Sequence, residues 1–127
     1  MRVAIDVDNT ITRHPEQCRA LMEALRRQFY YVCVLTEHLA DPEEMTQRDH
    51  DVLYHALAAQ LAALRIFWDS HYLHLQVVVG KNSEACATEK GRECKARSIE
   101  LFIDDSKRYC EAVRKECPQT MILNVFD

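Results

Sequence analysis

The sequence predicts a doubly wound α/β fold, a mostly parallel sheet of five strands held as the middle of three layers between helices. Three observations carry this. Five short runs rich in Val, Ile and Leu are nearly continuous rather than alternating, as in strands buried on both faces. Between them, apolar residues recur at three- and four-residue steps, the helical period. Glycine occurs twice in 127 residues, where an ordinary frequency of about 7% would give roughly nine, so folds dominated by tight turns are disfavoured.

The first strand is Val3 to Ile5, and it runs directly into Asp6-Val7-Asp8-Asn9-Thr10. Pro15 suits a first helical turn, where its missing N–H is not needed, and Cys18, Leu21, Met22, Leu25 and Phe29 follow at helical steps. A helix from Pro15 to Gln28 results. Tyr31 to Leu35 is the second strand, followed by Thr36. Asp41-Pro42-Glu43-Glu44 reads as an N-cap, a first-turn proline and a capping acid, with Leu53, Leu57, Leu61 and Leu64 continuing one apolar face. One long helix is therefore expected from Pro42 to Ile66. Leu75 to Val79 is the third strand, ending at Gly80 and Lys81, and the next crossover holds a helix that closes near Lys95. Leu101 to Ile103 is the fourth strand, leading into Asp104-Asp105-Ser106. Tyr109, Cys110, Val113 and Cys117 mark a last helix stopped by Pro118, and Met121 to Val125 is the fifth strand. The crossovers are expected to be right-handed.

Hydrophobic residues at 48% and charged residues at 28% suit a folded core, and 127 residues suit a single domain spanning 1–127. Sixteen basic against 20 acidic residues give a net charge of −4, which disfavours bulk nucleic-acid binding. No run of about 18 apolar residues exists, and Asp6 interrupts any signal core, so a cytoplasmic protein without a membrane role is expected. The six cysteines include no C-x-x-C pair; free thiols are expected rather than disulfides or structural zinc.

Ligands of doubly wound sheets bind at the carboxyl ends of the strands, so the residues just past each strand are the candidates for chemistry. Asp6 and Asp8 follow the first strand with Thr10 close behind; Asp104 and Asp105 follow the fourth. Carboxylates gathered at one edge repel unless a cation lies among them, and hard oxygen donors suit Mg²⁺. Asp105 and Ser106 serve equally well as N-caps for the last helix. Thr36 offers a hydroxyl for a phosphate oxygen, and Lys95 a positive charge to offset phosphate. His50, His55, His71 and His74, with Asp49, Asp51 and Asp69, suggest a second metal site, but a solvated helix face with ordinary i, i+4 pairs explains them more simply.

Taken together, these residues resemble the haloacid dehalogenase superfamily. MRVAIDVDNTIT resembles its first motif, Leu35-Thr36 its second, Lys95 its third and Leu101-Phe102-Ile103-Asp104-Asp105 the double-aspartate form of its fourth, in family order and across almost the whole chain. The resemblance implies a Rossmann-like core and a Mg²⁺-dependent phosphohydrolase. Asp6 would attack phosphorus to give an aspartyl phosphate, and Asp8 would act as acid and then base. Mg²⁺ would sit between Asp6, the main-chain carbonyl of Asp8, and Asp104, while Thr36 and Lys95 held the phosphoryl group and Thr10 and Asp105 supported them. Asn9 and Glu37 stand where the family often has glycine or a small residue, and Lys81 competes with Lys95. About 22 residues (9–30) and about 20 (81–100) flank the motifs, too few for a cap domain. An open site implies a bulky phosphorylated substrate or a second subunit as lid, which makes a homodimer possible. Two alternatives stand beside this reading. One is a catalytically silent member of the same fold acting as a binding or regulatory protein; the other is a receiver-like phospho-acceptor domain. The receiver reading lacks an acceptor aspartate after the third strand and a lysine after the fifth.

Overall fold

The computed structural model describes residues 1–66 and 73–125. Its strands are β1 (Arg2–Ile5), β2 (Tyr31–Leu39), β3 (Leu73–Gly80), β4 (Leu101–Asp104) and β5 (Met121–Asn124), and its helices α1 (Pro15–Arg27), α2 (Gln47–Ala63), α3 (Ser83–Ala96) and α4 (Lys107–Glu116). All four strand pairings are parallel, in the order β3-β2-β1-β4-β5. The five-stranded α/β/α fold read from the sequence is the fold observed. Strand order reverses between β1 and β4, which places the switch-point crevice at Asp6 and Asp104.

Period-two alternation sorts the sheet into two cores. Val3, Ile5, Val32, Val34 and Ile103 pack with Cys18 and Met22 of α1 and with Leu57 and Leu61 of α2. Ala4, Cys33, Leu35 and Phe102 pack on the other face with Cys86, Ala87 and Cys94 of α3 and Tyr109, Cys110 and Val113 of α4. Crossovers of one hand require this segregation. The chain moves outward through β1, β2 and β3 with its helices on one face, then returns past β1 to β4 and β5 with them on the other.

Two expectations about element boundaries need correction. The helix expected over Pro42–Ile66 is broken: Pro42–Glu44 forms a separate short 3₁₀ turn, Met45 is extended, and α2 begins only at Gln47. Thr46 is the reason. Its hydroxyl accepts from the Asp49 N–H at 3.2 Å while the Asp49 carboxylate accepts from the Thr46 N–H at 2.9 Å, a reciprocal capping box that outcompetes continuation. Asp41 caps only the short turn, through the Glu43 N–H at 3.0 Å. Second, β2 does not stop at Leu35, because Thr36 to Leu39 stay paired with Val77 to Gly80 of β3.

Both glycines sit at close backbone approaches. A Cβ on Gly80 would lie 2.7 Å from the Cys86 nitrogen, where α3 begins, and one on Gly91 would lie 3.1 Å from the Glu116 Cβ, where α3 crosses α4. All six cysteines are free thiols, five of them buried, as the absence of paired spacing suggested. Among the described residues no helix is long and apolar enough to cross a membrane.

Candidate functional site

The same alternation that builds the two cores also aims the acids. Asp6, two residues past Ala4, Glu37, two past Leu35, and Asp104, two past Phe102, continue the row that faces α3 and α4. On α3 the inward stripe reads Cys86, Ala87, Lys90, Gly91 and Cys94, so a lysine enters the apolar face one turn from each flanking cysteine. The result is a buried ion cluster. Lys90 Nζ donates to Asp6 Oδ1 and to Asp104 Oδ2, each at 2.8 Å, and lies 2.8 Å from Glu37 Oε2. The last contact is an ion pair by distance but is not directed as a hydrogen bond, and Glu37 Oε2 has no other partner. The ammonium also sits 4.5 Å from the centre of the Tyr109 ring, a cation–π contact. Lys90 and Asp104 are fully buried and Asp6 is 1% exposed.

The acids are held on their other sides as well. Thr10, itself buried, has its hydroxyl 3.2 Å from Asp6 Oδ2 and 3.4 Å from Asp105 Oδ1, and its single proton serves one of them at a time. The Ser106 N–H donates to Asp104 Oδ1 at 2.8 Å, while Ser106 Oγ caps α4 by accepting from the Tyr109 N–H at 3.3 Å. Capping therefore falls to Ser106, and Asp105 is left to the cluster. Asp6, Asp104 and Asp105 each offer an oxygen within 4.8 Å of the others, a hard-oxygen set suited to a divalent cation.

The electrostatics follow from burial and from the excess of carboxylates. Burial, reinforced by Asp104 and Glu37 against the pull of Lys90, pushes the Asp6 carboxyl up to about 8. Asp104 is raised for the same leading reason and is held back by Lys90. Burial alone would lower Lys90, but Asp6, Asp104 and Glu37 outweigh it and keep the ammonium charged. Burial also pushes the Tyr109 hydroxyl up to about 12.

Several residues singled out in the sequence lie elsewhere. Lys95 is 69% exposed at its side chain and pairs with Glu116 at 3.8 Å. Five residues past Lys90, it points about 140° around the helix from it. Lys81 is likewise exposed and pairs with Asp41 at 3.6 Å. Asp8 is exposed: the chain leaves β1 through a kinked turn over Val7–Ile11 in which Asp8 is extended and Asn9 has φ 58°. Thr36 lies within β2, one residue from Glu37 and so on the opposite face of the strand. His50 and His55 are exposed, and His74 stacks on Tyr31 with ring centres 4.7 Å apart. Among the described residues no group of metal-binding side chains includes a histidine; Trp68, Asp69, His71 and Tyr72 lie outside the described residues. Sequence reasoning missed Lys90 and registered Glu37 only as a departure from the family's small residue. The signal for Lys90 was present as a charged residue in an otherwise small and apolar helical stripe.

No family model matches the chain, and no curated protein matches it. Among solved structures it is similar to a universal stress protein from Archaeoglobus fulgidus, with a TM-score of 0.57 and 11% identity, over 99% of this chain and 93% of that one. At that identity the likeness shows the fold. It also corrects the assignment made from the motifs, because the matching structure is a universal stress protein and not a haloacid dehalogenase. The phosphohydrolase reading, with its aspartyl phosphate and its enzyme class, rested on that assignment and is withdrawn with it. So are the two alternatives, the silent member of that family and the receiver-like domain. One residue of the phosphohydrolase reading is also misplaced: the lysine expected to bind phosphate, Lys95, is in solvent.

Proposed function

We propose that the chain is a ligand-binding domain on a universal-stress-protein-like fold, whose switch-point edge takes Mg²⁺ and, through it, the phosphate of a phosphorylated ligand. The observation that carries this reading is the set of Asp6, Asp104 and Asp105 oxygens within 4.8 Å of one another at the carboxyl ends of β1 and β4. Lys90 neutralises part of the cluster by holding one oxygen each of Asp6 and Asp104. Four carboxylates, counting Glu37 and Asp105, still face one ammonium, and a divalent cation relieves the remaining repulsion. Asp6, Asp104 and Asp105 would hold the cation, and Thr10 would orient the Asp6 and Asp105 carboxylates toward it. Bound there, Mg²⁺ supplies the positive charge that a phosphate needs at an otherwise acidic edge.

Calorimetric titration of the protein with Mg²⁺, and then with inorganic phosphate in its presence, tests the proposal. One saturable Mg²⁺ site below about 10 mM is expected, abolished by Asp104→Asn, with phosphate binding only after Mg²⁺. Absence of saturable Mg²⁺ binding, or binding that Asp104→Asn leaves intact, refutes it.

A further inference from the structure

On the α1 side of the sheet the four helices leave part of the surface uncovered. α1 and α2 pack over β1, β2 and β3, while α3 and α4 lie on the other face. Beside α1 there remains a cavity of about 280 Å³ that opens to solvent. Ile5 and Ile103 line it together with Thr10, Cys18, Leu21 and Leu123. Its apolar character is bought at a cost, because Leu123 is 50% exposed and Leu21 38% exposed.

Two features connect this cavity to the acidic edge. Ile5 and Ile103 are the residues immediately before Asp6 and Asp104, so each strand end presents an apolar side chain to the cavity and a carboxylate to the cluster. Thr10 belongs to both, lining the cavity while its hydroxyl reaches Asp6 and Asp105. The link runs through Thr10, whose hydroxyl lies 3.2 Å from Asp6 Oδ2 and 3.4 Å from Asp105 Oδ1, so the cavity wall itself touches the acidic edge. A cavity of about 150 Å³ holds a benzene ring, so this one has room for a larger aromatic or branched aliphatic group.

We infer that the cavity between α1 and β5 is the apolar half of the ligand site, taking a ring-sized apolar group of a molecule whose anionic end lies at the acidic edge. The inference rests on the reading proposed above for that edge. A second copy of the chain is the weaker occupant. β5 is four residues long and exposes two large apolar side chains, Met121 and Leu123, far short of the roughly 800 Å² per partner of a standard interface.

The test uses N-phenyl-1-naphthylamine, a neutral aromatic dye that probes the apolar half alone, titrated into the intact protein with fluorescence as readout. Leu123→Arg, at a half-exposed position, places a charge in the cavity wall, and its melting curve is compared with that of the native protein before titration. Saturable binding near one dye per chain, weakened about tenfold or more by Leu123→Arg while the Mg²⁺ titration of that variant is unchanged, supports the inference. Non-saturable binding, or binding indifferent to Leu123→Arg, overturns it. Light scattering that reveals a dimer split by Leu123→Arg overturns it too, since a second copy then covers the face. Failure of the edge reading has a separate signature, the loss of the Mg²⁺ isotherm in the unsubstituted protein.

Discussion

Lys90→Met is the substitution that tests the cluster most directly, because it keeps the length and much of the apolar stem of the side chain while deleting its charge. In the native protein the ammonium has three carboxylate oxygens at 2.8 Å and no exposure to water. Without it, Asp6 and Asp104 are buried with no cation near them. Removing one partner of a buried ion pair costs about 3–5 kcal/mol, since the remaining charge is neither solvated nor paired. For a domain of this size that corresponds to a fall of about 10–20 °C in melting temperature. The deficit has a pH signature. The carboxyls left without a counter-ion escape by taking up protons, and since Asp6 is already pushed up to about 8 beside Lys90, the variant regains stability relative to the native protein as pH falls through the raised range of Asp104. Calorimetric melting at pH 7.5 and pH 4.5 measures both quantities, with Lys95→Met as control. That side chain is 69% exposed, and its loss is expected to change stability by no more than about 0.5 kcal/mol. A Lys90→Met deficit below about 1 kcal/mol at neutral pH, or one equal at both pH values, would show that the cluster does not hold the sheet edge together.

The raised Asp6 carboxyl predicts a second pH effect with a definite sign. Its ordinary value of 3.8 moves up to about 8 on folding, so between those values the folded state binds the extra proton and stability falls as pH rises. Denaturation midpoints across that window are expected to decline in the native protein and to flatten in Asp6→Asn; an equal slope in both would assign the titration to another group. Gly80→Ala places a Cβ 2.7 Å from the Cys86 nitrogen and 3.0 Å from Ala85. It should lower stability by about 1–3 kcal/mol in urea denaturation, and a neutral result would mean that the start of α3 can shift. Thr46→Ala removes one half of the capping box and should cost about 1 kcal/mol, with faster amide exchange at Asp49 and His50. Unchanged exchange there would mean that the Thr46 hydroxyl does not hold the first turn of α2.

The fold was legible because burial on two faces writes itself into consecutive residues. Val3 to Ile5 and Leu101 to Ile103 have no polar alternation to mislead a reader, and the helices between them repeat at their own period. The helix ends were less legible. Asp41-Pro42-Glu43-Glu44 and Thr46-Gln47-Arg48-Asp49 are both sound N-terminal signals, and the long helix starts at the second, where the capping box is reciprocal. That Asp6, Asp104 and Asp105 meet at one sheet edge was legible for the same reason as the strands, since position after a buried run is visible in sequence, while Asp8 stays outside that group. The lysine was not found because a charged residue is ordinarily exposed. Spacing to Asp104 favoured Lys95, whereas the helical stripe of Cys86, Lys90 and Cys94 carried the better information.

On the function proposed above, Lys90 and a divalent cation would take different atoms. The ammonium takes Asp6 Oδ1 and Asp104 Oδ2, on the side toward α3. The other oxygens, Asp6 Oδ2 and Asp104 Oδ1, are met by the Thr10 hydroxyl and the Ser106 N–H, neutral donors at the edge where Asp105 stands. With the charge placed behind the acids, the inner oxygens are neutralised and the outer ones keep their basicity. The strand alternation that produces this division also turns Ile5 and Ile103 to the opposite face, so the ionic cluster, the acidic edge and the apolar cavity all follow from where β1 and β4 end.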